Sequence, residues 1–196
     1  MTRAIRPRTT PKTGVRDDPA SAYDMTASDE GIEQRTLACI VDNEPGVLAR
    51  VVGLFSGRGY NIESLTVAEI DRNAHQSRIT IVTSGTNHVL EQIEQQLLRL
   101  VPVAKVIDVT NSSGGIEREL ALVKVAGKGD ARVESLRISE IFRAYVIDTT
   151  NESFIFEVTG TSQKIDAFAE LMRPLGLTEI ARTGVAALSR GAAGAA

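Results

Sequence analysis

Apolar spacing along this chain switches between strand-like and helix-like in the same order twice, and that repetition narrows the possible folds more than any other feature. The first copy predicts a strand at 35–41, a helix at 46–57, strands at 61–69 and 77–84, a helix at 87–99 and a strand at 103–109. The second predicts a strand at 118–126, a helix at 130–143, strands at 145–149 and 153–159, a helix at 162–172 and a strand at 177–182. The order β-α-β-β-α-β is the ferredoxin-like arrangement, an antiparallel sheet with both helices on one face. The expected class is therefore α+β, with two ferredoxin-like βαββαβ domains.

Individual residues support this. Val89, Ile93 and Leu97 recur at i, i+4 and i+8, and Ile165, Phe168 and Met172 make a second helical stripe with Ser162 as its expected cap. Phe154, Phe156 and Val158 alternate with Ile155, Glu157 and Thr159, as on a sheet with one well-buried face. The 130–143 helix is ragged in its apolar spacing. Leu37, Cys39 and Val41 alternate with Ala38 and Ile40, so both faces of that strand are apolar. A sheet face or edge left apolar and open is a reason to expect a dimer.

Residues 1–34 form a different zone. Arg3, Arg6, Arg8, Lys12 and Arg16 come first, and Asp17, Asp18, Asp24, Asp29, Glu30 and Glu33 follow, with no periodicity. This is the composition of a disordered tail. An organelle leader would suit the basic part but not the acidic part, so a cytoplasmic location is expected. The division is a tail at 1–34, a first domain at 35–110, a linker at 111–117 and a second domain at 118–190.

Several function classes recede. The net charge of −3 and the absence of Trp leave little for phosphate neutralisation or base stacking, so no nucleic-acid partner is expected. No apolar run approaches the roughly 20 residues of a membrane helix. The single cysteine, Cys39, sits in an apolar strand and reads as a buried, inert thiol. His75 and His88 lie in a loop and at a helix start and read as surface histidines rather than metal ligands. The run Gly127, Lys128, Gly129 admits a phosphate-binding reading or a simple turn before a helix. No catalytic constellation is found.

The most informative local stretch is Asp42 to Arg50 followed by Gly59 to Leu65. Asn43, Pro45 and Gly46 break the first strand, and Val47, Leu48, Val51, Val52, Leu54 and Phe55 then fall on one helical face. Free backbone N–H groups at a helix start, beside a glycine, suit an anion such as a carboxylate. Asn43 and Asn61 flank the place and can each donate and accept. The same residues also fit a plain strand-to-helix turn in which Asn43 stabilises its own backbone.

These residues resemble the ACT domain, a small ligand-binding module of amino-acid metabolism. The longer string from Arg50 to Ala68, with Gly53, Leu54, Phe55, Gly57, Gly59, Tyr60, Asn61, Ile62, Glu63 and Ser64, resembles the regulatory (small) subunits of acetolactate synthase, also called acetohydroxyacid synthase. Further matches fall at 89–97, 117–125, 140–143 and 184–190. The resemblance implies a non-catalytic subunit that activates the large, catalytic subunit and confers feedback inhibition by valine, or by leucine or isoleucine, in branched-chain amino-acid biosynthesis. It implies a homodimer, with the effector at the interface of two paired ACT domains. Asn43, Gly46, Val47 and Leu48 would come from one chain, and Asn61 and Ile62 from its partner. It implies no cofactor in this chain, with thiamine diphosphate, FAD and Mg²⁺ in the large subunit. A stand-alone ACT-type amino-acid sensor is the alternative that the residues themselves leave open.

Overall fold

The computed structural model describes residues 31–111 and 114–191. Most of the expected tail lies outside the described residues, and Glu33 and Gln34 belong to the first strand. The first half consists of β1 (Glu33–Asp42), α1 (Val47–Arg58), β2 (Ser64–Asp71), β3 (Gln76–Gly85), α2 (Asn87–Leu97) and β4 (Val103–Asp108). The second consists of β5 (Ile116–Val125), α3 (Asp130–Phe142), β6 (Tyr145–Thr149), β7 (Phe154–Gly160), α4 (Ser162–Met172) and β8 (Leu177–Arg182). The sheet orders are β2-β3-β1-β4 and β6-β7-β5-β8, with antiparallel pairing throughout. This is the expected fold, formed twice.

Each half has its own core on the helix side of its sheet. The first joins Leu37, Cys39 and Val41 of β1 to Val51 and Phe55 of α1 and to Leu90, Ile93 and Leu97 of α2. The second joins Ala121, Val123 and Val125 of β5 to Phe154, Phe156, Ile165, Phe168 and Met172. The ragged spacing of α3 has a simple cause. Ser135 and Ser139 occupy buried positions, and their hydroxyls bond back to Arg132 O at 2.8 Å and Leu136 O at 2.7 Å.

Two details differ from the sequence reading. Helix α4 is capped by Thr161, whose hydroxyl accepts the Lys164 N–H at 3.3 Å. Ser162 is already helical, and its hydroxyl donates to Glu119 instead, at 3.0 Å. Strand β5 starts at Ile116, so Ile116 and Glu117 are strand rather than linker. They pair with a short added strand, β9 (Ala186–Leu188). Three small residues carry no usable periodicity, which is why β9 is not visible in the sequence.

That added strand also decides what covers the outer face of the first sheet. After β8 the chain bends at Gly184, whose φ of +81° and 2.8 Å approach of a would-be Cβ to Ser64 Oγ require glycine. Val185 then lies against β2: its N–H donates to Ser64 Oγ at 3.0 Å, and its carbonyl accepts from Thr66 Oγ1 at 2.5 Å. Ala187 O accepts from Arg78 at 2.7 Å. Ala38, Val82, Val109, Val185 and Ala187 form a third, smaller core there. Part of the face expected to be open is thus closed by the chain's own C-terminal strap.

Candidate functional site

The loop between β1 and α1 is held by backbone bonds. The Asn43 N–H donates to His75 O at 2.6 Å, and the Glu44 N–H to Asp42 O at 2.9 Å. Gly46, the residue before α1, has φ 87° and ψ −3°. No side chain caps α1, and its first turn holds no acidic residue. A helix's first N–H groups have no carbonyl partner within the helix, and they carry its positive end. Val47 is buried against the first core, while Leu48 is 39% exposed beside these N–H groups. The Val47 N–H is taken by Glu44 O at 3.4 Å and the Arg50 N–H by Gly46 O at 3.1 Å, so the N–H groups between them are the ones a carboxylate finds, with an aliphatic surface next to them.

Asn43 does not stabilise its own loop through its side chain. Its Nδ2 donates to Glu69 Oε1 at 3.3 Å. Asn61 is exposed, and its carbonyl accepts from Thr83 Oγ1 at 2.6 Å. Ile62 packs against the first core. Thr83 lies across from Arg35 on β1, whereas Asn43 follows Asp42 at the other end of that strand. At about 3.3 Å per residue, roughly 25 Å separates the two ends. One chain thus brings Asn43, Gly46, Val47 and Leu48 together and leaves Asn61 and Ile62 at the far end of the same sheet.

Strand β2 is an edge strand, paired with β3 alone within its sheet. Leu65 lies across from Ile81, Val67 from Ile79 and Glu69 from Ser77. Ile79 and Ile81 belong to the core under the helices, so Leu65, Val67 and Glu69 share that side of the sheet. Val67 is 47% exposed despite facing it. Val67 and Glu69 were not among the expected site residues. The period-2 alternation of β2 put them on the loop's side, but only the strand order shows that this strand is an edge.

The other candidates resolve without a ligand. Lys128 Nζ is 3.2 Å from Glu152, and Asp130 opens α3, so the Gly127–Gly129 run presents carboxylates rather than a phosphate cradle. His75 and His88 are exposed. Cys39 is fully buried, and burial pushes its thiol up to about 12. A cleft of about 730 Å³ opens between the start of β2 and the bend after β8, walled in part by Glu63, Ser64, Glu119, Asp166 and Arg182. Arg182 grips buried Glu119 at 2.8 and 2.6 Å and reaches Asp166 at 2.6 Å. Those hydrogen bonds hold the Glu119 carboxyl below the usual carboxylate range. With its guanidinium committed to two carboxylates, this cleft offers an anion less than the uncapped start of α1 does.

Known proteins resemble this chain across both halves. Residues 37–105 match the AHAS small subunit-like ACT domain, and residues 118–191 match the family model described as the small subunit of acetolactate synthase. The chain is 48% identical over 159 residues to the acetolactate synthase isozyme 3 small subunit of Escherichia coli (strain K12), covering 81% of this chain and 96% of that one. The chain belongs to the acetolactate synthase small-subunit family. It is 47% identical over 160 residues to the acetolactate synthase small subunit of Bacillus subtilis (strain 168), covering 81% of this chain and 91% of that relative. The solved structure of the Thermotoga maritima acetolactate synthase small subunit aligns with a TM-score of 0.74 at 38% identity, over 82% of this chain and 99% of that one. The first half is thus an ACT domain, and the second half matches the pattern found in these small subunits after their ACT domain. No helix among the described residues is long and apolar enough to cross a membrane.

Proposed function

We propose that this chain is the regulatory subunit of an acetolactate synthase: it activates the large, catalytic subunit and makes it sensitive to valine, or to leucine or isoleucine. The observation that carries the reading is the uncapped N-terminus of α1, with Leu48 beside it, in a chain that matches small subunits across both halves. A branched aliphatic amino acid has a carboxylate for the N–H groups and a side chain for the aliphatic wall. Thiamine diphosphate, FAD and Mg²⁺ belong, in this proposal, to the large subunit.

The effector site is completed by a second copy. If edge strand β2 pairs antiparallel with β2 of another chain, the beginning of one strand meets the end of the other. Asn61 and Ile62 of the partner then approach Asn43 and Gly46, which a single chain keeps at opposite ends of the sheet. A ligand between two protomers favours one arrangement of the dimer over others, and this is the requirement for coupling to a third protein.

The deciding measurement is acetolactate formation by the large subunit across a valine titration, with and without this chain. The expected result is a higher rate with the chain and inhibition by valine only in its presence. A rate indifferent to the chain would support the stand-alone sensor instead. Site sharing is tested by refolding Asn43→Ala and Asn61→Ala chains together: mixed dimers should regain one intact site and partial valine binding. No recovery would place the whole site within one chain.

A further inference from the structure

An α-amino acid carries two charges, and the open end of α1 answers only one of them. Backbone N–H groups attract the carboxylate and disfavour the ammonium, so an effector of this class needs an acceptor at its other end. Four carboxylates lie in or near the loop. Asp42 ends β1 on the face of Ala38 and Ile40, away from the helices. Glu44 is paired with Arg50 at 3.1 Å. Asp71 accepts the Asn73 and Ala74 N–H groups at 2.8 and 3.0 Å and so closes the β2–β3 turn. Glu69 is placed differently: it stands on the helix side of edge strand β2, and its Oε1 accepts from Asn43 Nδ2 at 3.3 Å. Its cationic neighbour Arg72, at 3.5 Å, has a side chain 91% exposed to solvent. Such a contact neutralises Glu69 only weakly.

The Asn43–Glu69 bond also orients the amide. A carboxylate accepts and cannot donate, so it takes the Nδ2 end of Asn43 and leaves Oδ1 as the end free to accept. We infer that Glu69 is a specificity-determining residue of the effector site: it turns Asn43 so that Oδ1 meets the ligand's ammonium, and it supplies the negative charge that favours that ammonium. This inference rests on the effector reading above and deepens it. The bound amino acid lies with its carboxylate on the α1 N–H groups and its ammonium toward Asn43 and Glu69. The site then selects α-amino acids over the corresponding deaminated acids.

The test is calorimetry on the full chain with L-valine and with 3-methylbutanoate, which is valine without its amino group. The unaltered chain should bind valine at least about tenfold more tightly than 3-methylbutanoate, the size expected for a charge-assisted hydrogen bond. Glu69→Gln keeps the size of the side chain but removes the charge and can hold Asn43 either way round. It should weaken valine about tenfold and leave 3-methylbutanoate unchanged or slightly tighter, since its lone carboxylate loses a like-charged neighbour, so that selectivity collapses. Glu69→Ala should behave alike, and thermal melting of both variants near the unaltered value shows that the loop is intact. If both ligands weaken equally, or if valine binding does not change, the role given to Glu69 is overturned while the effector site stands. If the unaltered chain binds neither ligand, the effector reading falls and this one with it.

Discussion

The two halves of the molecule repeat one fold, yet their first helices begin in opposite ways. Both α1 and α3 follow a glycine at positive φ, Gly46 and Gly129, and neither has a side-chain cap. Helix α3 carries Asp130 in its first turn, so its positive end is answered from within the chain. Space does not separate the two starts, because a Cβ on Gly46 or on its counterpart Gly129 would meet nothing within 4 Å. Charge does: helix α1 has no acidic residue in its first turn. The same element is therefore answered by a charge in one half and left unanswered in the other. One carboxylate separates the helix start proposed as the effector site from its counterpart in the second half.

The sharpest way to break the comparison is to make the first half resemble the second. Gly46→Asp puts a carboxylate at the open helix end, where it repels the ligand's own carboxylate. It should abolish valine inhibition and leave activation of the large subunit intact. A variant that keeps its full valine response in the acetolactate assay means that the site has been put in the wrong place.

The halves also differ in what covers their outer faces, and removing the cover is the next largest expected effect. A fragment ending near Gly114 retains the ACT domain and the loop before α1 but loses Val185 and Ala187 from the third core. Exposing Val82 and Ala38 should cost a few kcal/mol in chemical denaturation. The fragment should still fold, dimerise and bind valine, but activate the large subunit poorly. A fragment unfolded by circular dichroism, or one giving both full activation and full feedback, would end the division of labour between the halves.

Glu119 holds the base of the strap and provides a pH test confined to the second half. Its carboxyl is held low, first by the Arg182 hydrogen bonds. A carboxyl whose folded pKa is depressed contributes stability that is present above its unfolded value, near 4.3, and is lost as pH falls through the folded one. Glu119→Gln should therefore cost about 1–3 kcal/mol at pH 7. The gap from the unaltered chain should narrow below about pH 4. Parallel urea titrations at the two pH values check this, and a gap of constant size would mean that the pair adds nothing through its charge.

The smallest expected effect is the reverse of the first. Asp130→Asn removes the charge that answers α3 and should cost about 0.3–1 kcal/mol, without changing the valine response. Loss of valine sensitivity in that variant would show that the second helix start also takes part in effector binding.

The double βαββαβ order is legible in the residue pattern alone, because helix and strand periodicities depend on which local face is apolar. Leu37, Cys39 and Val41, or Ile165, Phe168 and Met172, announce their faces without reference to the rest of the chain. The break at Asn43, Pro45 and Gly46 was legible for the same local reason, and Arg50 to Ala68 carried the family. Three other matters became visible only in the folded chain. Folding set β2 at the edge of its sheet, since strand order depends on long-range pairing and not on spacing. It joined Asn43 to Glu69, 26 positions away in the chain, and so showed an acidic group at the loop before α1. It also laid Val185 across β2, because Ala186–Leu188 has too little pattern to mark a strand and is one only through its pairing with β5. Local spacing records which face of an element is buried. What buries it, and which residues meet there, depends on contacts between distant segments that no short stretch of sequence contains.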